Sequence, residues 1–257
     1  MPAREAPPLG APCWIELSSA DTERSRDFYA ALFGWTYEVE SAEYGEYVSC
    51  SLNGARVAGM TQNDSDSDRP DGWTTYFSSA DAAATAELAD ESGGQSAVPP
   101  MAVGSMGTMA ILEDPGGAHV GVWQSGDHGG YQVHGENGAP VWHELHTRHF
   151  RASVLFYETV FGWSTTVLGD SDEFRFTTAG FDGAELAGVF DATNTMGEDT
   201  PASWRVYFGV DDVDRAVALA ETLGATVVAG AEDSPYGRLA TLSDPTGAHF
   251  TVMAPSE

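Results

Sequence analysis

Residues 14–35 read WIELSSADTERSRDFYAALFGW, and residues 142–163 read WHELHTRHFRASVLFYETVFGW. Both stretches open on a tryptophan, carry a glutamate two residues later and close with Phe-Tyr and Gly-Trp at the same spacing. Further along each half, DPGGAH at 114–119 matches DPTGAH at 244–249. Self-similarity that extends this far along a chain is typical of a repeated structural unit. The sequence therefore predicts a duplicated domain.

The stretch between the two copies, SGDHGGYQVHGENGA at 125–139, is rich in glycine and polar residues. Such a composition is typical of loops and connecting segments. We therefore divide the 257 residues into a first domain at 1–124, a linker at 125–139 and a second domain at 140–257.

Each half divides again into two similar patterns of a strand, a helix and three strands. In the second half, WRVYFGV at 204–210 has the branched and aromatic residues of a strand. Asp211 is then placed to cap a helix. The apolar residues of that helix recur every three to four positions, at Val213, Ala216, Val217, Ala220 and Leu223. Short strand-like runs follow, so the chain is predicted to repeat β-α-β-β-β four times.

The charge balance narrows the possible functions. The chain carries 39 acidic and 11 basic residues, for a net charge of −28, and every basic residue is an arginine. Without lysine there is no Schiff-base or phosphate-loop lysine. Such an acidic chain also has little means to neutralise a run of phosphates, which argues against nucleic acid and membranes as partners. We expect a small-molecule ligand, and a monomer or a homodimer as the assembly.

The sequence shows no sign of export or of insertion into a membrane. No apolar run approaches the roughly 18 residues that a membrane helix needs. The first residues, MPAREAPPLGAP, lack the basic and then apolar layout of a signal peptide. Cys13 and Cys50 are too few for a disulfide framework, and we expect both to be buried. A cytoplasmic location is the expectation.

Polar and aromatic residues alternate with apolar ones along the predicted strands. Because alternate residues of a strand share a face, one face should pack on helices and the other should carry the mixed set. In the first half the mixed face holds Trp14, Glu16, Tyr76 and His119. In the second half it holds Trp142, Glu144, His146, Arg205, Tyr207 and His249. Such a face would line a ligand cavity, and the alternative is a row of exposed residues on a half-solvated sheet.

The elements WxEL, FYxxxFGW and DPxGAH resemble those of the vicinal oxygen chelate superfamily, which includes glyoxalase I, bleomycin-resistance proteins and extradiol dioxygenases. The resemblance covers about residues 12–254. Within the superfamily, the chain is similar to tandem glyoxalase-like proteins from high-GC bacteria. It implies an α+β fold of two tandem domains. Each domain would consist of two βαβββ modules that form a U-shaped, eight-stranded sheet with the helices outside.

The resemblance also implies where a metal ion would bind, and the chain departs from the family pattern there. In the first half the aligned ligand positions hold Trp14, Thr74 and Gly121. In the second half they hold Trp142, Arg205 and Thr251. Because tryptophan and arginine do not serve as metal ligands, we expect no cofactor. The alternative is a displaced divalent-metal site formed by Glu144, His146 and His249.

The stretch NDSDSDRPDG at 63–72 has the spaced aspartates of a calcium loop. However, Arg69 stands where such a loop requires glycine. We therefore interpret the aspartates around Asp64 as a solvated acidic loop.

The second half carries the larger set of proton-transfer and anion-binding groups, because His146 replaces Ser18 and Arg205 replaces Thr74. Catalytic roles are accordingly predicted there for Glu144, His146, Tyr207 and His249. Ligand-binding roles are predicted for Trp142, Arg205, Trp14, Glu16, Tyr76 and His119. The alternative for Glu144 is a buried ion pair with Arg205.

Two classes of function remain open at this point. The first is a metal-independent enzyme of lyase, isomerase or hydroxylase type that acts on a small carbonyl compound or natural product, with a glutamate as general base. The second is a non-catalytic protein of the bleomycin-resistance type, which captures a flat or cationic compound on an aromatic lining. The residues alone do not identify the substrate.

Overall fold

The computed structural model describes residues 7–40, 47–63, 70–197 and 200–255. Over these residues the chain forms sixteen strands and four helices. The acidic loop predicted around Asp64 lies outside the described residues. None of the four described helices has the length and the apolar composition to cross a membrane.

Each half contains eight strands and two helices. The first half contains β1 (Pro12–Ser19), α1 (Thr22–Phe33), β2 (Thr36–Val39), β3 (Val48–Leu52), β4 (Ala55–Gln62), β5 (Gly72–Ser78), α2 (Ala82–Glu91), β6 (Gln95–Val103), β7 (Gly107–Glu113) and β8 (His119–Ser125). The second half contains β9 (Pro140–Thr147), α3 (Phe150–Phe161), β10 (Thr165–Asp170), β11 (Arg175–Phe181), β12 (Ala184–Asp191), β13 (Ser203–Gly209), α4 (Val213–Thr222), β14 (Thr226–Ser234), β15 (Gly237–Ser243) and β16 (His249–Pro255). The predicted fourfold β-α-β-β-β order is confirmed.

The strands form two eight-stranded sheets, one from each half. The order in the first sheet is β2-β3-β4-β1-β5-β8-β7-β6, and the second sheet repeats it as β10-β11-β12-β9-β13-β16-β15-β14. The opening strand of each half lies at the centre of its sheet, antiparallel to the strand that opens the second βαβββ module. These two mixed sheets and their four helices confirm the predicted α+β fold of two tandem glyoxalase-like domains.

The helices pack between the two sheets, where each domain covers the other. One hydrophobic core joins α1 and β4 of the first domain to α4 and β16 of the second. The other joins α2 and β8 of the first domain to α3 and β12 of the second. The helices of each domain thus cover the face of its sheet opposite the open face, as predicted. In the whole molecule this helix-covered face is buried against the other domain. The open faces of the sheets point away from this shared interior.

The start of α4 differs from the prediction by one residue. Asp212, rather than Asp211, is the N-cap, and its side chain accepts a hydrogen bond from the backbone nitrogen of Arg215 at 3.0 Å. Asp211 instead accepts a hydrogen bond from the side chain of Asn137 in the 125–139 segment. With two adjacent aspartates, the sequence does not decide which of them satisfies the exposed N–H groups of the helix.

The repeated Phe-Tyr and Asp-Pro motifs meet across the two domains. The Tyr29 hydroxyl donates to the carboxylate of Asp244 at 3.0 Å, and the Tyr157 hydroxyl donates to that of Asp114 at 3.3 Å. Each tyrosine also accepts a hydrogen bond from a buried tryptophan indole. All four motif residues are buried, so the motifs that reveal the duplication are also the ones that hold the two copies together.

The Gly-Trp pairs end the first helix of each domain and reach across the same interface. Gly34 and Gly162 have φ values of 75° and 68°, a left-handed conformation that favours glycine at the end of a helix. The tryptophan after each glycine is buried. Its indole donates to a backbone carbonyl near the opposite domain, from Trp35 to Gly138 at 2.7 Å and from Trp163 to Gly10 at 2.9 Å.

The 125–139 segment is bound along the first sheet. The backbone nitrogen of Tyr131 donates to the Cys13 carbonyl at 2.8 Å, and that of Gln132 donates to the Arg56 carbonyl at 2.7 Å. The Tyr131 hydroxyl donates to the Pro12 carbonyl at 2.7 Å. The segment therefore connects the domains and also contributes to the surface of the first one.

Candidate functional site

Trp14 and Glu16 lie on the open face of the first sheet, as the strand pattern predicts. Their neighbours Ile15 and Leu17 are fully buried in the core between the domains. Across the sheet, Trp14 is paired with Tyr76 on β5. The alternation along β1 thus separates a face that holds the domains together from a face that is available to a ligand.

Glu16 is a partly buried carboxyl with two tyrosine partners. The Tyr76 hydroxyl donates to Glu16 Oε1 at 3.3 Å, and the Tyr47 hydroxyl donates a second hydrogen bond. The indole of Trp14 donates to the Tyr47 hydroxyl at 2.9 Å, which fixes the position of that hydroxyl. Burial raises the pKa of Glu16, and the two hydrogen bonds offset only part of this effect. The surroundings therefore make Glu16 a stronger base than an exposed glutamate.

Tyr47 is a site residue that the sequence reasoning does not identify. It comes immediately before β3, in which Val48, Cys50 and Leu52 are buried. Continued alternation places Tyr47 on the opposite face, which is the signal that could have revealed it. Gly59 on β4 makes room for its ring, because a Cβ atom at this position would overlap the Tyr47 hydroxyl.

A cavity of about 440 Å³ opens above Glu16. Its polar end contains Glu16, Tyr47 and Tyr76, and its remaining polar residues are Glu40, Ser49, Arg56, Thr61 and His128. The apolar wall includes Trp14, Met101, Val103, Met106, Met109 and Trp123. Cavities of about 300–1,000 Å³ with mostly apolar walls and a few convergent polar groups are typical small-molecule sites. The first domain therefore has the volume and the lining of a ligand site.

His128 completes one wall of this cavity from within the 125–139 segment. Its ring lies edge-on between two indoles, with ring centroids 4.5 Å from Trp14 and 5.4 Å from Trp123. The Trp123 indole also donates to the His128 carbonyl at 2.7 Å. Burial, with the positive charge of Arg56 nearby, lowers the pKa of His128 to about 4. His128 is therefore a neutral imidazole at physiological pH. The composition of residues 125–139 predicts only a linker and gives no indication that His128 lines a cavity.

His119, a predicted ligand-binding residue, is not among the residues that line the cavity. It begins β8 and is exposed, and its Nε2 lies 3.5 Å from a carboxylate oxygen of Glu113 on the adjacent strand. Trp123, four residues further along the same strand, is the residue that reaches the cavity wall. The alternation along a strand predicts which face of the sheet a residue occupies. It does not predict which residues of that face lie beside the cavity.

In the second domain, three of the four predicted catalytic residues form a closed hydrogen-bonded cluster around Glu144. His146 Nε2 donates to Glu144 Oε1 at 2.7 Å, and the Tyr207 hydroxyl donates to the same oxygen at 2.9 Å. The Trp142 indole donates to Glu144 Oε2 at 3.1 Å. Burial alone would raise the pKa of Glu144, but the hydrogen bonds from these three residues outweigh it and hold the pKa below its usual range.

Phenylalanine side chains occupy the space above this cluster. Phe190 on β12 lies opposite His146, at the position where Thr61 lies opposite Ser18 in the first domain. The ring centroids of His146 and Phe190 are 5.3 Å apart.

Phe176 is paired with Phe190 across β11 and β12. It occupies the position equivalent to that of Tyr47, which lies next to β4 in the first domain. A Cβ atom at Gly188, the residue opposite Glu144, would meet the rings of Phe176 and Trp142. In the second domain, Phe176 and Phe190 thus stand at the positions that Tyr47 and Thr61 hold beside the cavity of the first.

The remaining predicted residues of the second half lie at the edge of this cluster. Arg205 is opposite Glu144 across β9 and β13, but the two form no ion pair within the described structure. Burial and the charge of Arg205 lower the pKa of His146, although Glu144 opposes this effect. His249 is exposed at the start of β16. The alternative of a buried Glu144–Arg205 ion pair therefore does not describe this site.

The donors on either open face do not fit the metal site that the fold family implies. Among the described residues, no three of histidine, cysteine, aspartate and glutamate lie close enough to hold a metal ion together. Glu144, His146 and His249 do not form such a group. Around Glu16, the neighbouring groups are tyrosine hydroxyls that donate hydrogen bonds to the carboxylate. We therefore derive no chemical step through a metal ion.

Two family models match the chain, one for each domain. The model of the glyoxalase/bleomycin resistance protein/dioxygenase superfamily matches residues 13–122, and the model of the glyoxalase-like domain matches residues 142–253. With the two sheets described above, these matches define a protein of two tandem glyoxalase-like domains. The chain belongs to the glyoxalase/bleomycin resistance protein/dioxygenase superfamily, which confirms the resemblance seen in its sequence motifs.

Individual relatives match both domains. CFP32 of Mycobacterium tuberculosis, which carries a provisional glyoxylase name, is 35% identical over 265 residues, covering 100% of this chain and 99% of CFP32. The anthracycline biosynthesis protein DnrV of Streptomyces peucetius is 35% identical over 272 residues, covering 95% of this chain and 93% of DnrV.

Solved structures with the same fold include a glyoxalase and a dioxygenase. The Mn(II)-bound glyoxalase from Novosphingobium aromaticivorans has a TM-score of 0.67 at 16% identity, covering 98% of this chain and 84% of that one. The 2,3-dioxygenase LapB from Pseudomonas sp. KL28 has a TM-score of 0.66 at 15% identity, covering 98% and 94%. At these identities the similarity concerns the fold alone.

Proposed function

We propose that the cavity of the first domain binds a flat aromatic carbonyl compound and that Glu16 transfers a proton to and from it without a metal ion. The observation that carries this proposal is the position of Glu16, a partly buried carboxyl with a raised pKa that lines a cavity of about 440 Å³. The prediction of catalytic roles for Glu144, His146, Tyr207 and His249 stays a prediction. The open space favours the first domain instead.

The chemistry follows from the carboxylate and its neighbours. The Glu16 carboxylate takes a proton from the carbon next to the substrate carbonyl, and the electron pair of that C–H bond moves to form the enolate. Return of the proton to another carbon gives isomerisation, and departure of a leaving group gives lyase chemistry. Tyr47 and Tyr76 hold the carboxylate in place while the apolar walls limit the access of water.

The relatives support the substrate class. One is a provisional glyoxylase and another is an anthracycline biosynthesis protein, and anthracyclines are polycyclic aromatic ketones. The rings of Trp14, Tyr76 and Trp123 provide the flat, polarisable surface on which such a molecule would stack.

The test is proton exchange on a model carbon acid. We would incubate 2-tetralone with the protein in D₂O and follow the loss of its α-proton NMR signals. Glu16→Gln should slow the enzyme-dependent exchange by about 10²-fold or more, a typical contribution of a general base. Glu144→Gln is the matched control, because Glu144 has the equivalent strand position, and it should stay within about twofold of the wild type. Equal losses in both variants, or a loss only in Glu144→Gln, would contradict the proposal.

A second function, capture of a flat compound without chemistry, is favoured by the methionines of the cavity wall. Met101, Met106 and Met109 form a flexible apolar surface that can adapt to different ring systems. Reversible stoichiometric binding of 2-tetralone, with no exchange above the rate in buffer, would favour this function over the enzymatic one.

A further inference from the structure

Five polar residues of the first-domain cavity are not used by the proton transfer described above, namely Glu40, Ser49, Thr61, Arg56 and His128, and the last two carry the inference that follows. Arg56 lies on β4, and His128 lies in the 125–139 segment. The two are close enough for the charge of Arg56 to affect the imidazole. The backbone of Arg56 is fixed by Gln132, whose side chain accepts from the Arg56 nitrogen at 3.0 Å. The 125–139 segment thus holds both residues at the cavity.

Arg56 differs from the arginines that serve a structural role. Arg175 is within 3.5 Å of three aspartates, and Arg238 forms ion pairs with Asp214 and Asp233. Within the described part of the chain, no carboxylate forms an ion pair with Arg56. In a protein with a net charge of −28, a guanidinium that lines a cavity without such a partner is available to a ligand.

His128 has an unused hydrogen-bonding atom. Its Nδ1 is buried and has no hydrogen-bond partner among the described residues. Buried polar atoms are nearly always paired in folded proteins, so this unpaired atom in a residue of the cavity lining indicates a hydrogen bond that the protein itself does not supply. A neutral imidazole carries one proton, on either ring nitrogen. In the tautomer that has it on Nδ1, this atom can donate a hydrogen bond to an oxygen.

We infer that Arg56 and His128 bind an anionic oxygen, so that the ligand of this cavity is an acidic aromatic compound with a carboxylate, phenolate or enolate group. The inference deepens the proposed function and rests on it for the aromatic part of the ligand. A guanidinium and an imidazole N–H give charge-assisted hydrogen bonds to such an oxygen. Glu185, on β12, holds the place of Arg56 in the register of the second domain, which offers no equivalent cation there.

The test uses two probes of the same shape and different charge, 2-naphthoate and 2-naphthamide. Dissociation constants would be measured by calorimetry at one fixed ionic strength, because the acidic protein repels anions. The wild type should bind 2-naphthoate about tenfold more tightly than the amide, as one charge-assisted hydrogen bond would give. Arg56→Gln should abolish this preference, and Arg56→Lys, which keeps the charge, should retain part of it.

Two further variants separate a ligand contact from a structural role. His128→Phe keeps a ring between the two indoles but removes Nδ1, and it should weaken 2-naphthoate by about threefold or more while leaving the amide unchanged. Glu185→Gln is the matched control and should change neither probe.

The outcomes distinguish this inference from the proposed function. If the wild type binds the amide as tightly as the naphthoate, or if Arg56→Gln keeps the preference for the naphthoate, the inference is overturned. In that case exchange of 2-tetralone that depends on Glu16 would still support the proposed function. If Arg56→Gln abolishes the preference while Glu16→Gln leaves exchange unchanged, the anion site stands and the proton-transfer role fails.

Discussion

Glu16 and Glu144 stand at equivalent positions of β1 and β9, yet their pKa values shift in opposite directions. Around Glu16, burial dominates, because the hydrogen bonds from Tyr47 and Tyr76 offset only part of its effect. Around Glu144, burial also raises the pKa, but the hydrogen bonds from His146, Tyr207 and Trp142, together with the charge interaction with His146, outweigh it. Glutamates at equivalent strand positions are therefore a base with a raised pKa in the first domain and a hydrogen-bonded carboxylate with a lowered pKa in the second.

This difference predicts opposite effects on stability. Glu16 favours folding only while it is protonated, and this contribution is lost as the pH rises through its raised pKa. Replacing the ionised group by a neutral amide at pH 7 should thus raise the free energy of unfolding, by on the order of 1 kcal/mol. Glu144→Gln should lower the free energy of unfolding at pH 7 by about 1–3 kcal/mol, because the amide weakens three partly buried hydrogen bonds.

Urea unfolding of both variants at pH 7 and at acidic pH measures these effects. The stabilising contribution of ionised Glu144 is fully present above the pKa of glutamate in the unfolded chain, about 4.3. This contribution is lost as the pH falls through the lowered pKa of Glu144 in the folded protein. The loss of stability in Glu144→Gln should therefore shrink in acid. The gain in Glu16→Gln should shrink in acid as well, because the wild-type carboxyl is then protonated. A change of the same sign in both variants at pH 7 would show that the two environments are not opposed.

At the scale of the strands and helices, the sequence predicts the fold well because the strand period of two and the repeated motifs are local signals. They place Trp14, Glu16 and Tyr76 on one open face and Trp142, Glu144 and Tyr207 on the other. The helix start shows the limit of such signals, because the choice between Asp211 and Asp212 depends on a contact with Asn137.

The location of the open cavity could not be predicted from the residues that the two halves share. It depends on side chains from the neighbouring strands, Tyr47 and Thr61 in the first domain against Phe176 and Phe190 in the second. It also depends on His128, which reaches the cavity from a segment whose composition indicates only a connection. The second half has more titratable groups, which is why the sequence predicts the active site there. The cavity of about 440 Å³ lies in the first domain.

At the scale of the whole molecule, the two domains share their cores, and each supplies an aspartate to a tyrosine of the other. A protease site inserted at the exposed Gly135, followed by cleavage, should leave the halves associated. The interface would hold them because it buries the aromatic rings of both domains, including Phe77 against Phe161 at 5.1 Å between ring centroids. Gel filtration of the cleaved protein without denaturant should give one species of unchanged size.

Removing the interdomain hydrogen bonds provides the comparison for that experiment. The double variant Tyr29→Phe and Tyr157→Phe keeps the rings and loses both bonds to the aspartates, so its cleaved halves should separate at a lower urea concentration. Elution of the cleaved wild type as two half-sized species would mean that the link, rather than the interface, holds the domains together.

The open cavity of the first domain is the proposed ligand site, and a side chain that fills this cavity should block binding. Thr61→Phe introduces the side chain that Phe190 already places at the equivalent position of the second domain, so the fold accommodates it there. Calorimetric titration with 2-naphthamide should show binding weakened by about tenfold or more, because the ring occupies the ligand volume. Phe190→Thr should leave the dissociation constant unchanged. Wild-type affinity in Thr61→Phe, or a loss of binding only in Phe190→Thr, would contradict the account.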